Sequence, residues 1–301
     1  MFRILSITVL LYSLLWLVGC EQQSSAPQET ANDEEYIERM SAEHADDQPL
    51  ATPAAETGPD STVLSVDVVY LESEEETLRG YLVYPEWAHG ALPGILVFHE
   101  WWGLNDNVRA MADRLAGRGY VVLALDFYQG QSANTPDQAR ELMRTAMAKP
   151  ARTARNITAA FKFLRDQTQA VGIATLGWCL GGSLSLSAAL QLQEQVDAVV
   201  VYYGHIGAVS QVELANLQAP LLGFFGGQDQ AIPAAHVEKF HTALERLGKP
   251  AEIHIYPDAE HAFANPSGTR YRAKDAEDAW QKTLAFLEQH LGVDEDVQLL
   301  P

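Results

Sequence analysis

The stretch Ile173-Ala174-Thr175-Leu176-Gly177-Trp178-Cys179-Leu180-Gly181-Gly182-Ser183 decides the fold. Its apolar start predicts the end of a strand, and Ser183 to Gln195 predicts a helix. Cys179 falls in the glycine-flanked turn between them, which is the setting of a nucleophile elbow. Such a turn holds one side chain in a strained, exposed position, and only glycines leave room for so sharp a bend. The usual occupant is a serine. Here it is a thiol.

Working outward, Val63 to Leu71 and Leu78 to Tyr84 alternate apolar and polar residues around an acidic turn, Glu72 to Glu76, and predict an antiparallel hairpin. After Pro93 the pattern changes to apolar runs separated by helical segments, the signature of a parallel sheet with crossover helices. Strands are expected at Gly94–Phe98, Tyr120–Leu125, Val171–Leu176, Val196–Tyr203, Pro220–Phe225 and Ala251–Tyr256. Helices are expected at Asn107–Arg118, over Pro136–Gln167 with a break near Lys149-Pro150, and at Ala234–Leu247 and Arg272–Leu291. The fold class is therefore α/β, one domain over residues 61–293, with an acidic tail at 294–301.

The chain has 301 residues, 47% of them hydrophobic, enough for one large core. Residues 1–20 stand apart: Arg3 is followed by an apolar stretch, Ile4 to Val18, and then Gly19-Cys20. This reads as a secretory signal, and Leu17-Val18-Gly19-Cys20 resembles the bacterial lipobox, in which the cysteine is lipidated. The alternative, an uncleaved anchor, meets the difficulty that the stretch is short for a span. The domain is thus expected at the cell envelope, lipid-anchored through Cys20 and facing the periplasm. Residues 21–60 carry eleven acids against one base, Arg39, and few apolar residues, which predicts a disordered tether. As a coil it would reach roughly 35 Å. The net charge of -20 argues against a nucleic-acid partner. A monomer is expected.

Only Cys20 and Cys179 are present, so lipidation of the first leaves the second without an internal partner in an oxidising compartment. A thiol nucleophile needs a base, because a free thiol is only slightly ionised at neutral pH. At a strand-to-helix elbow the expected chain order is nucleophile, acid, histidine, with the last two on loops after later strands. Asp229 follows Pro220–Phe225 through Gly226-Gly227-Gln228, and His261 follows Ala251–Tyr256, so both meet the requirement. Glu260 and Asp126 are weaker candidates for the acid. His44 falls in the tether; His89, His236, His241 and His290 read as solvated, His254 as packed, and His205 as a possible pocket residue. No histidine pair has ligand spacing backed by a further cluster, so neither a metal nor a cofactor is expected.

Phe98-His99-Glu100-Trp101-Trp102-Gly103-Leu104, Gly177-Trp178-Cys179-Leu180-Gly181-Gly182, Gly227-Gln228-Asp229 and His261-Ala262-Phe263, in that order over about residues 62–292, resemble the dienelactone hydrolase family. The resemblance implies an α/β-hydrolase fold: a mostly parallel eight-stranded sheet with helices on both faces. It implies hydrolysis of small esters or lactones through an acyl-thioester, with Cys179 as nucleophile, His261 as base and then acid, and Asp229 orienting the ring. The backbone N–H groups of Leu180 and Trp101 would form the oxyanion hole. Glu100 would contact the resting thiol and take its proton when substrate binds, and Trp102 is expected to line the pocket.

One position departs from the family. An arginine that holds the substrate carboxylate four residues after the histidine is here Asn265, which cannot offer a charged fork. Arg140, Arg144 and Arg152 are candidates for a second such arginine, and Arg270 for a replacement of the first. Dienelactone itself is therefore a doubtful substrate, whereas ester or lactone hydrolysis survives. Two other classes compete: a non-catalytic envelope lipoprotein that binds a small ligand or partner in the same pocket, and a thiol redox sensor, for which no resolving cysteine exists.

Overall fold

A computed structural model describes residues 26–47, 58–207 and 209–292. The expected signal, Cys20 and the acidic tail lie outside the described residues. The domain follows the order β1 (Val63–Glu72), β2 (Thr77–Pro85), β3 (Gly94–Phe98), α2 (Asp106–Ala116), β4 (Val121–Leu125), α3 (Pro136–Met147), α4 (Pro150–Thr168), β5 (Ile173–Trp178), α5 (Leu180–Leu192), β6 (Ala198–Tyr202), α6 (Gln211–Leu214), β7 (Leu221–Gly226), α7 (Ala234–Arg246), β8 (Ala251–Tyr256) and α8 (Ala273–Leu291). A further helix, α1 (Ala26–Glu43), precedes them.

The eight strands form one sheet in the order β1-β2-β4-β3-β5-β6-β7-β8. β1 and β2 pair antiparallel, β2 runs antiparallel to β4, and every later pairing is parallel. Every residue of β3, β4, β5, β6 and β7 is buried, which requires helices on both faces of the sheet and explains the continuous apolar runs. α2 and α8 meet where the Arg114 guanidinium lies over the Trp280 ring. α4 and α5 meet where Gln191 donates to Thr158. Because the central strands are parallel, their carboxyl ends line up along one edge. The loops after β3, β5, β7 and β8 carry Glu100, Cys179, Asp229 and His261 there, the edge where open α/β sheets bind ligands.

Within the disordered tether expected over 21–60, the stretch Ala26–Glu43 is corrected to a helix, α1. The segment is acidic on average, yet Tyr36, Ile37 and Met40 stand at helical spacing and are buried with the core. Arg144 of α3 pairs with Glu34 and Glu38, and Arg140 with Glu38, so the acids that suggested disorder meet cations of the domain. Local composition understated a docking stripe whose partners lie far along the chain. Among the described residues, no helix is long and apolar enough to cross a membrane.

Ile37→Asp tests this docking. A lone carboxylate buried among apolar groups costs several kcal/mol, and each 1.4 kcal/mol is a tenfold change in the open fraction. The expected result is alkylation of Cys179 by iodoacetamide at least about 100-fold faster than in the wild type, with the domain's cooperative melting retained. An unchanged rate would show that α1 does not cover the thiol.

Candidate active site

The elbow is built as a backbone device. Cys179 takes φ 56° and ψ −119° between β5 and α5, a strained region for a side-chain-bearing residue that costs roughly 1–3 kcal/mol. Its N–H donates to the Tyr202 carbonyl (3.0 Å) and its carbonyl accepts from Ser183 N–H (3.2 Å), which locks the turn. The glycines are steric necessities: a Cβ on Gly177 would lie 2.1 Å from the Gly181 carbonyl oxygen, and one on Gly181 would lie 2.0 Å from that of Phe98. Leu180 opens α5, so its N–H belongs to the first helical turn, which has no intrahelical acceptor.

Asp229 and His261 are brought together by the β7 and β8 loops. His261 Nδ1 donates to Asp229 Oδ2 at 2.8 Å, and Asp229 Oδ1 accepts from Ile232 N–H at 2.7 Å. Both side chains are fully buried. Burial disfavours the imidazolium, but the charge and hydrogen bond of Asp229, and after them the hydrogen bond and charge of a Cys179 thiolate, outweigh it. They hold the His261 pKa well above its ordinary value, a rise that belongs to the ring once it has taken the thiol proton. His261 Nε2 has no hydrogen-bond partner. His261 sits in a group with Cys179 and His44 whose ligand atoms all lie within 4.8 Å of one another. The thiol and the base are thus in reach but not yet bonded, a common state before substrate binds.

Glu100 is buried after β3, and burial pushes its pKa up to about 7. Contact with the resting thiol was the expectation. Instead Asn265 Nδ2 donates to Glu100 Oε2 at 2.6 Å and the Tyr203 hydroxyl to Oε1 at 3.5 Å. Asn265 therefore does more than lack an arginine's charge; its amide takes up the glutamate. His99 holds this loop: Nδ1 donates to the Glu100 carbonyl at 2.6 Å and Nε2 accepts from Phe127 N–H at 3.2 Å. A small cleft of about 20 Å³ is lined by Glu100, Val108, Met111, Tyr203, Asn265 and Pro266 among others, but not by Cys179 or His261.

The arginines proposed for substrate are committed elsewhere. Arg140 and Arg144 hold α1, and Arg152 lies 3.3 Å from Glu76. Arg270 does reach the site's edge, where it donates to the His261 carbonyl (3.0 Å), the Glu43 carbonyl and Asp47 Oδ2 (2.7 Å).

Sequence reading missed the residues just after α1. His44, placed there in the tether, is 1% exposed. Its ring centroid lies 4.6 Å from that of Trp101 and 5.6 Å from that of His261. Its Nδ1 lies 2.6 Å from Asp47 Oδ2, and Asp47 Oδ1 accepts from the Thr269 hydroxyl at 2.6 Å. Burial drives the His44 pKa down to about 4 despite the carboxylate, so the ring is neutral. Burial also opposes ionisation of Asp47, but the bonds from His44 and Thr269 keep it well below the usual carboxylate range. Glu43 Oε1 accepts from Gln230 N–H (2.6 Å) and Ala231 N–H (3.0 Å), beside Asp229. Trp101 and Trp102, each 1% exposed, lie beneath this segment rather than in an open pocket. His205, the other histidine considered for the pocket, stacks on Tyr36 at 4.1 Å between centroids. The only local signal was Tyr36, Met40 and His44 at successive i, i+4 positions within an acidic run.

A model of the Dienelactone hydrolase family matches residues 78–291. The chain belongs to this family. A relative from Aquifex aeolicus (strain VF5) named "Putative carboxymethylenebutenolidase" is 30% identical over 231 residues, covering 74% of this chain and 98% of the relative. One of the same name from Escherichia coli (strain K12) is 29% identical over 262 residues, covering 81% and 95%. The solved "Putative Dienelactone Hydrolase" of Klebsiella pneumoniae superposes with a TM-score of 0.67 at 27% identity, over 76% of this chain and all of that one. A dienelactone hydrolase-like phosphotriesterase from metagenomic libraries shares the fold (TM-score 0.70, 21% identity, covering 77% of this chain and 100% of that one). As a dienelactone hydrolase family member the chain is a hydrolase, on an α/β-hydrolase fold.

Proposed function

We propose that this family member hydrolyses small, uncharged carboxylic esters or lactones through an acyl-thioester on Cys179. The observation that carries this reading is the buried Asp229–His261 hydrogen bond, which leaves Nε2 as a bare acceptor in reach of a thiol on a strained elbow. His261 takes the thiol proton, the sulfur attacks the carbonyl carbon, and the N–H groups of Leu180 and Trp101 receive the oxyanion. The imidazolium, stabilised by Asp229, then gives its proton to the departing alkoxide. Water attacks the thioester by the same route and restores the thiol. Glu100, poised near neutral pH, is a second acceptor for the thiol proton once substrate displaces its bonds to Asn265 and Tyr203.

The preference for uncharged substrates rests on Asn265 and on the engaged arginines. Among the described residues, the guanidinium nearest His261 is already bound to Asp47. Losing a charge-assisted contact is worth about 1.5–3 kcal/mol, roughly 10- to 100-fold in kcat/KM. A panel should therefore show neutral esters and lactones turned over at least about tenfold faster than matched carboxylate-bearing lactones. Preference for the anions would point to a freed arginine. A pH profile separates the role of Glu100. Burial raises its pKa, so the carboxylate is lost as pH falls through about 7. Below that value kcat/KM should drop by about tenfold per unit, and Glu100→Gln should lack this inflection. An identical profile in the variant would remove Glu100 from the proton chemistry.

The anchor belongs to the same proposal: a lipoprotein held through Cys20 at the envelope, facing the periplasm. With α1 beginning at Ala26, five residues separate it from Cys20. At about 3.6 Å per extended residue the domain would stand close to the lipid rather than on a long tether.

A further inference from the structure

We infer that His44, Cys179 and His261 form a binding site for one divalent, zinc-like cation. The three residues are buried and their donor atoms lie within 4.8 Å of one another. The tautomers follow from the outer contacts. Each ring directs Nδ1 at a carboxylate, His261 at Asp229 (2.8 Å) and His44 at Asp47 (2.6 Å). Arg270 Nη2, 2.9 Å from His44 Nδ1, gives its hydrogen to Asp47 Oδ2 (2.7 Å) instead, so both rings present an Nε2 lone pair. Both Nε2 atoms are buried without a hydrogen-bond partner. One thiol proton can satisfy only one of them, and ester hydrolysis uses only one imidazole. Hydrolysis therefore leaves His44 unexplained.

A cation resolves the count. It accepts both imidazole lone pairs and a thiolate; the S–H bond of Cys179 breaks, a metal–sulfur bond forms, and the proton leaves to solvent with no change of oxidation state. Thiolate and imidazole donors select zinc or copper over magnesium and calcium. Three protein ligands with a fourth position open is a known zinc arrangement, and the carboxylate behind each ring is the usual outer partner of a metal-bound histidine. Ligand atoms around tetrahedral zinc stand about 3.5 Å apart, so the trio, already within 4.8 Å, needs at most about an ångström of closure on binding. The two carboxylates are matched as well: Asp47 is paired with the Arg270 guanidinium, and Asp229 would face, through the His261 ring, the single net positive charge of a divalent ion joined to a thiolate. The ion would tie the segment after α1 to both nucleophile and base, so the loaded form is closed and does not hydrolyse.

The test titrates the reduced, chelator-stripped full-length chain anaerobically with Co²⁺ and then Zn²⁺. One equivalent should bind, with a near-ultraviolet thiolate-to-cobalt charge-transfer band and intense tetrahedral visible absorption, both displaced by Zn²⁺. His44→Ala should weaken Co²⁺ binding by at least about tenfold while retaining metal-free turnover, and Asp47→Asn, which keeps the ring, by about 10- to 100-fold. If His44→Ala does not fold, Asp47→Asn carries the comparison. Absence of the charge-transfer band, a stoichiometry other than one, or wild-type affinity in the variants overturns the site. The spectrum reads the thiolate directly, so its outcome stands apart from whether any ester is turned over.

Discussion

Cys179→Ala should lower kcat for a small activated ester by roughly 10⁴- to 10⁶-fold while leaving the fold intact. The size of the effect comes from the residue's position. The sulfur forms the covalent bond that divides one difficult step into two, and within reach of His261 Nε2 among the donors brought together here it is the one nucleophile. The backbone strain at Cys179 belongs to the turn rather than to the thiol, so alanine inherits the geometry without the chemistry. Residual hydrolysis would come from the oxyanion donors and binding alone. Equal melting temperatures in wild type and variant, read by circular dichroism, separate loss of chemistry from loss of structure.

Asp229→Asn should cost about 10⁴-fold in kcat. Asp229 accepts from His261 Nδ1 on one oxygen and from Ile232 N–H on the other. An amide can keep the second contact by presenting its oxygen to Ile232. It then turns its NH₂ toward the ring, which shifts the imidazole proton to Nε2 and removes the lone pair that must take the thiol proton. The charge that holds the His261 pKa high against burial is lost at the same time, so the imidazolium intermediate loses its counter-ion as well. Activity measured across pH should stay low throughout. Recovery at high pH to near wild-type turnover would mean that the ring needs no orienting partner.

Much of this site was legible because its signals are local. The Gly177-to-Gly182 turn can close only with glycines where Gly181 meets the Phe98 carbonyl. The two-sided burial of β3 to β7 writes itself as unbroken apolar runs. Asp229 and His261 stand one loop beyond successive strands, and parallel topology alone places such loops together. What the chain hides are contacts between distant segments. Tyr36, Ile37 and Met40 are too few to offset eleven acids in a composition reading, yet they suffice once Arg140 and Arg144 meet the glutamates. His44 and Asp47 depend on Arg270 and Thr269, which follow more than two hundred residues later. The same long-range pairing took the arginines away from the substrate role considered for them, and no helical position could have announced it. Asn265 marks a subtler limit: its lost charge is visible in sequence, but its bond to Glu100 is not.

The central claim is covalent catalysis by the elbow thiol, and the most direct measurement is rapid acid quench during turnover of p-nitrophenyl acetate, followed by peptide mass spectrometry. An acetyl group on the Cys179 peptide, removable by hydroxylamine and absent in Cys179→Ala, is the predicted result. Steady turnover with Cys179 unmodified, or an acyl group on a different residue, would contradict it.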